Sequence, residues 1–303
     1  MADTDTMTDG AVRLQVAGLP PVLFGAVASP SHAVAGYRSP IVQLRRELDL
    51  FANIRPVLGP NADLVVVREN TEGLYAGRER LEDDGATAIA ERVITRRASE
   101  RIVRAACELA VARGAASGRQ PRVTIVHKAN VLRVSDGLFR EVALATAAQY
   151  PVSIDELLVD VAAMHIAQRP QRFDVVVTTN LFGDILSDVA CIHGGGLGLA
   201  ASSNLGTAHA LFEPVHGAAP DIVGRGIANP LAAISCVALL IEWAGSNGRL
   251  SAAACGGRAP TEVARDLNAA VAAVVRDGPH TPDLGGNAST AEVVERITAQ
   301  AIS

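Results

Sequence analysis

Two aspartates four residues apart, Asp184 and Asp188, lie in VVVTTNLFGDILSD, residues 175–188. The stretch opens as an apolar, β-branched strand and then takes up helical spacing from Asn180, a residue suited to capping a helix. Both carboxylates then share one helix face, where like charges repel unless a cation sits between them. Hard oxygen ligands suit a divalent ion such as Mg²⁺ or Mn²⁺, and the alternative is a solvated face. The apolar flanks favour the cation. Asp160 stands in an otherwise apolar run, 157–164. It is therefore expected to be buried and to need a cation as well.

Among the 27 lysines and arginines only Lys128 is a lysine. Arginine replaces lysine as a surface cation but cannot give up its proton at physiological pH, so the one retained lysine points to proton transfer. Arg45, Arg55 and Arg68 fall at or near element ends. Three guanidiniums so grouped could grip a di- or tricarboxylate through paired hydrogen bonds. The alternative is separate surface ion pairs with Glu47, Glu69 or Glu72.

The elements that must position these groups follow from the pattern. Residues 21–27 read as a short strand leading into a loop, 28–37. Ser39 followed by Pro40 opens a helix with Ile41, Leu44 and Leu48 on its inner side. Residues 51–57 form a strand whose alternation puts Asn53 and Arg55 on one side, and 65–68 form another. Helices are expected at 99–112 and at 135–150, the latter capped by Ser135, with a polar connection at 114–120. The strand 122–127 delivers Lys128 to its end. Gly196, Gly198 and Ala201 match G-x-G-x-x-A but follow a helix, which excludes a Rossmann fingerprint, and the segment 193–206 reads instead as a hinge. A long loop rich in Gly and Pro, 212–230, is of the kind that carries function. Three helices with a turn at 279–287 complete the chain.

With 303 residues, 49% hydrophobic but only 3% aromatic, the chain builds an aliphatic core large enough for two lobes. A net charge of −5 without a basic run excludes nucleic acid and anionic membranes as expected partners. Four cysteines without C-x-x-C spacing, and the lack of a secretory signal, suit a cytoplasmic protein with reduced thiols. The apolar segment 230–243 is too short to span a bilayer and contains Glu242, so a buried helix is expected.

LRRELDLFANIRPV, VVVRENTEGLYAG, HKANVL, the Asp160 segment, TTNLFGDILSD and EPVHGAAPDIVGRGIANP together resemble the isocitrate/isopropylmalate family of metal-dependent β-decarboxylating dehydrogenases. The resemblance runs from Val22 onward. It implies an α/β fold of two lobes with a central mixed sheet flanked by helices, 1–57 and 195–303 forming a cofactor lobe and 58–194 a central lobe with the dimer interface. Arg45, Arg55 and Arg68, with Ser39, would bind the substrate carboxylates. Lys128 and Tyr75 would be base and acid, and Asp160, Asp184 and Asp188 would hold Mg²⁺ or Mn²⁺. Glu213, His216, Gly217, Asp221, Ile222 and Asn229 match cofactor positions, the Asp221–Ile222 pair being that of NAD-using members. An aspartate accepts bonds from the ribose hydroxyls and repels a 2′-phosphate. Lys128 and Asp160 would reach the active site of a second subunit, which requires a homodimer.

The family's opening strand, its G-D-G-I-G turn and a long helix have no counterpart ahead of PVLFGAV, so the first lobe is expected to be shortened. Ala28 replaces a common glycine and Ala201 a usual proline. Where isocitrate enzymes tend to carry Ser-x-Asn, this chain has Ser39 and Ile41. Ile41 and Val42 would form an apolar wall for the isopropyl group of 3-isopropylmalate. Arg38 could instead meet the extra carboxylate of homoisocitrate, with isocitrate also open. A reading from another class is a non-catalytic regulatory subunit, supported by the shortened lobe and opposed by the retained Lys128, Tyr75 and aspartates.

Overall fold

The computed structural model describes residues 21–27 and 39–301, so the expectations for the loop 28–37 with Ala28, and for Arg38, lie outside the described residues. Contacts divide the chain into two compact units, Met1–Leu48 with Gly195–Ser303, and Asp49–Gly194. The first crossing falls after Leu48 instead of Val57, because the strand that follows belongs wholly to the second unit. The other crossing falls inside the glycine-rich segment.

In the Asp49–Gly194 unit, β2 (Ala52–Gly59) and β3 (Ala62–Glu69) form an antiparallel hairpin, with Asn53 opposite Arg68. Next to β3 lies β8 (Val175–Thr178), parallel to it, followed by β6 (Arg122–His127) and β7 (Ser153–Leu158), also parallel. Val66, Val67, Val123, Ile125, Val126 and Val175–Val177 are fully buried. Such continuous apolar runs are what parallel strands covered on both faces require. Covering them are α2 (Arg96–Ser117), α3 (Ser135–Ala147), α4 (Val159–Gln168) and α5 (Asn180–Cys191). Ala162, Ile166, Leu186 and Ala190 from the last two helices pack with Leu64, Val66 and Val176 of the sheet. A small hairpin, β4 (Glu79–Glu82) with β5 (Thr87–Ala90), stands apart from this sheet. Its turn holds the Asp84–Gly85 pair that favours hairpins.

Several boundaries differ from the sequence pattern. The helix expected at 99–112 starts after Thr95, whose hydroxyl accepts from the Ala98 N–H at 3.1 Å, and runs through most of the polar connection to stop at Gly118 in the left-handed region. Ser135 is the first residue of its helix and not the cap, and that helix ends at Ala147.

In the other unit, α1 (Pro40–Glu47) follows Ser39 at its N-cap position. Leu44 and Leu48 are buried, while Ile41 remains half-buried. Strand β1 (Val22–Leu23) pairs parallel with β10 (Ala210–Pro214), which pairs antiparallel with β9 (Ala201–Leu205). The G-x-G-x-x-A match thus leads into a strand and not a helix, consistent with its rejection as a dinucleotide fingerprint. Residues 212–214 belong to β10 and not to the loop, which begins at Val215. Helices α6 (Leu231–Ser246), α7 (Pro260–Asp277) and α8 (Thr290–Ala301) complete the unit as expected. Leu231, Val274, Val293 and Ile297 form their shared core. No described helix is long and apolar enough to cross a membrane.

Candidate active site

The carboxyl ends of the parallel strands in the Asp49–Gly194 unit gather the groups with chemistry. Arg68 is at the end of β3 opposite Thr178 of β8, and two residues later α5 begins. This approach depends on Gly183, because a Cβ there would lie 2.6 Å from the Arg68 Cβ and 2.7 Å from its Cγ. Asn180 starts α5 but does not cap it. Its Oδ1 accepts from Arg68 Nε at 2.9 Å and its Nδ2 donates to the Glu72 carbonyl at 3.0 Å. A residue expected to cap a helix start thus orients a guanidinium.

Asp184 is the focus of the cluster. Arg68 Nη1 makes a short bond to its Oδ1, Arg55 Nη2 donates to the same oxygen at 3.1 Å, and the Tyr75 hydroxyl donates to Oδ2 at 2.5 Å. Arg55 is held by Asn53 Oδ1 at 2.7 Å on its own strand face and by Ser187 Oγ at 2.7 Å, and reaches Asp188 at 3.4 Å. The guanidinium of Arg68 also lies 4.9 Å from the centre of the Tyr75 ring. Both arginines are buried, Arg68 to 1% exposure. Their cost of burial is offset by these partners and by the two carboxylates. Burial and the Asp184 bond raise the Tyr75 phenol above its ordinary value. Burial, with the neighbouring Asp184 charge, raises the Asp188 carboxyl against the pull of Arg55 and Arg68. Glu69 accepts from the Thr71 and Glu72 backbone, and Glu72 accepts from Thr95, so these glutamates serve turns.

Lys128 and Asp160 come from the ends of neighbouring strands β6 and β7, and Lys128 Nζ donates to Asp160 Oδ1 at 2.5 Å. Asp160 is not buried, contrary to the expectation. It sits in the first turn of α4 with its side chain 61% exposed, because the apolar run is a strand end followed by a helix start and not one buried strand. The Lys128 bond holds its carboxyl below the usual range. Among the described residues of one chain, no three His, Cys, Asp or Glu side chains are grouped to hold a metal ion. Asp184 and Asp188 share a helix face as the spacing required, and Asp160 engages Lys128 instead of joining them.

In the other unit Arg45 Nη2 donates to Glu213 Oε1 at 2.7 Å, and Asn204 Nδ2 donates to the same oxygen at 2.8 Å. Among the described residues, the Arg45 Nε is buried without a hydrogen-bond partner. His216, Gly217, Asp221 and Ile222 lie along the 215–230 loop, with Asp221 exposed on a single 3₁₀ turn. Asn229 closes that loop, accepting from the Leu231 N–H and donating to Asp283 at 2.9 Å. Gly198 of the glycine-rich segment packs under this pair, where a Cβ would come within 2.6 Å of Asp283 Oδ2. Asn204, Ser187, Arg92 and Asp136 were not singled out by sequence reasoning. An aspartate at the start of a helix just after Lys128 was the signal available for the last of these.

The family model for isocitrate/isopropylmalate dehydrogenase matches residues 5–297. The chain belongs to that family. It is 46% identical over 295 residues to homoisocitrate dehydrogenase of Methanocaldococcus jannaschii, covering 91% of this chain and 79% of that one. It is also 46% identical over 285 residues to 3-isopropylmalate/3-methylmalate dehydrogenase of the same organism, covering 91% and 79%. The solved isocitrate dehydrogenase of Methylococcus capsulatus matches with a TM-score of 0.84 and 39% identity over 97% of this chain and 85% of its own. The α/β fold is that of these enzymes, and the protein is a decarboxylating dehydrogenase of the isocitrate/isopropylmalate class.

Proposed function

We propose that the protein catalyses metal-dependent, NAD-linked oxidative decarboxylation of a 2-hydroxy acid bearing a β-carboxylate, with 3-isopropylmalate as the leading substrate. The observation that carries this reading is the gathering of Arg55, Arg68 and Tyr75 around Asp184 at the end of a parallel sheet, where ligands of α/β proteins bind. The half-buried Ile41 and Val42 on α1 supply the apolar wall that an isopropyl group needs. Homoisocitrate is the second reading, favoured by the 46% identity to an enzyme named for it. One methyl or methylene contact separates such substrates by only about 1 to 3 kcal/mol.

The donor chemistry suits a divalent cation. Asp184 and Asp188 offer hard oxygens on one face, and the raised Asp188 carboxyl belongs to a pair that a cation would relieve. With Asp160 of a second copy completing the set, Mg²⁺ or Mn²⁺ would supply Lewis acidity at the substrate oxygens. Arg55 and Arg68 hold the carboxylates, a role that the resemblance to the family also gives to Arg45 and Ser39. The second copy's Lys128, which lies beside its Asp160, takes the hydroxyl proton, and the hydride on the same carbon would pass to the nicotinamide. Carbon dioxide then departs from the β-keto acid, leaving its bonding pair on an enolate. Tyr75, which keeps its proton because its phenol is raised, donates it to the enolate carbon. The exposed Asp221 would accept hydrogen bonds from the ribose hydroxyls of NAD, with Glu213, His216, Gly217, Ile222 and Asn229 completing the cofactor site.

A homodimer with shared sites fits the exposed apolar side chains near this chemistry. Val131, Val134, Met164, Ile185 and Ile192 all face solvent in the single chain. The test is NADH formation with Mn²⁺, offering 3-isopropylmalate, homoisocitrate, isocitrate, malate and tartrate side by side. Turnover of 3-isopropylmalate ahead of the rest is expected. Folded protein that leaves all five untouched would overturn the reading.

A further inference from the structure

The backbone around Lys128 is fixed by its neighbours more completely than its side chain is. The Lys128 N–H donates to Asp136 Oδ2 at 2.6 Å, and the Ala129 N–H donates to His127 Nδ1 at 3.1 Å. The Lys128 carbonyl accepts from Val131 at 3.0 Å and from Leu132 at 2.9 Å. Asp136 lies in the first turn of α3 and is fully buried. Its other oxygen makes a short bond to Arg92 Nη1. Arg92 in turn donates through Nη2 to Thr179 Oγ1 at 2.7 Å and lies 4.7 Å from the centre of the Phe182 ring. Thr179 is the residue before α5, the helix that carries Asp184 and Asp188.

A buried carboxylate is costly unless each oxygen is bonded, and here one oxygen is bonded to the Lys128 loop and the other to Arg92. One fixes the loop of the proton acceptor. The other, through Arg92, fixes the start of the helix with the paired aspartates.

We propose that Asp136 is a positioning residue for Lys128, acting through the Lys128 backbone N–H, and that Arg92 is the counter-ion linking it to α5. The proposal rests on the reading of Lys128 as the base. A displacement of about 1 Å at a reacting group costs on the order of 100-fold in rate, so a single backbone anchor is enough to matter.

The test compares Asp136→Ala, Asp136→Asn and Lys128→Ala in the full-length protein. Amide hydrogen exchange over residues 128–132 is measured alongside kcat and KM for the hydroxy acid and NAD. In Asp136→Ala, exchange at Lys128 accelerates and kcat falls by about 10- to 100-fold with both KM values little changed. Asp136→Asn keeps an acceptor oxygen and recovers most of the lost kcat. If Asp136→Ala does not fold, Asp136→Asn decides, with near-native exchange and kcat supporting the proposal and a fall as deep as in Lys128→Ala overturning it. Native kcat in a folded Asp136→Ala, a loss carried by KM alone, or an asparagine variant no better than the alanine variant would each overturn it. Lys128→Ala separates the two ideas. If that variant is inactive while Asp136→Ala is native, only the positioning role fails, whereas turnover by Lys128→Ala removes the base assignment itself.

Discussion

Asp184 and Asp221 are both acidic residues with a part in the proposed chemistry, and their surroundings are opposite. Asp184 receives two guanidiniums and a phenol from three separate elements, on a helix held against a buried sheet. Asp221 stands exposed on a single 3₁₀ turn in a loop rich in glycine. The first region is built so that no member moves without moving the others. The second is built on backbone shape, anchored at its far end by Asn229 and Asp283. Reacting atoms need fixed distances, whereas a cofactor's ribose needs an acceptor at the right place on an accessible surface. Substitutions should therefore cost stability and rate together in the sheet-end cluster, and selectivity alone in the loop.

The largest effect is expected from Gly183→Ala. The new methyl would meet Arg68 at 2.6 Å, and overpacking of this kind costs about 1 to 3 kcal/mol of stability while displacing the guanidinium. Thermal melting and turnover should fall together, and native values in both would break the claim that α5 must touch β3. Next is Arg68→Lys, which removes the planar fork bonded to Asn180 and Asp184. Lysine keeps the charge against Asp184 and loses the bond to Asn180, so the cost should be about 1.5 kcal/mol, the lower end for a hydrogen bond to a charged group. The comparison of kcat/KM with the melting curve checks it.

Asp221→Ala should leave melting unchanged and lower kcat/KM for NAD by about tenfold, the worth of a bond of roughly 1.5 kcal/mol to a charged acceptor. Loss of stability there would show that the loop is as interlocked as the cluster. The smallest effect concerns Glu156, beside His127 at the base of the Lys128 loop. The Arg140 bond, aided by His127 and opposed by burial, holds its carboxyl below the ordinary 4.5. A lowered value means that its stabilisation is complete above pH 4.5 and is lost as pH falls through the folded value. Glu156→Gln should therefore melt lower than the parent at neutral pH, with the gap closing as the solution is acidified below pH 4.5.

The parts of this arrangement legible in the sequence are those governed by period and residue type. Alternation placed Asn53 and Arg55 together, i,i+4 spacing placed Asp184 and Asp188 on one face, and the apolar runs marked β3, β6 and β8. What was not legible depends on partners distant in the chain. Asp160 was read as buried from its apolar neighbours, yet a strand-to-helix junction turns it outward to Lys128, 32 residues away. Asn180 has the chemistry of a cap, but Arg68 from 112 residues earlier takes its oxygen. Asp136 is by its local sequence a helix-start acid, and only the fold brings Arg92 and the Lys128 N–H onto it. Local pattern fixes faces and periods, and long-range packing decides which polar atom satisfies which.

The central claim is that Lys128 accepts the proton of the hydroxyl being oxidised, and Lys128→Arg tests it most directly because charge and reach are nearly kept while proton release is denied. Substrate binding by calorimetry and NADH formation should be measured on the same preparation. Binding close to that of the parent with turnover reduced to background is the predicted result. Turnover at the parent rate would contradict the account.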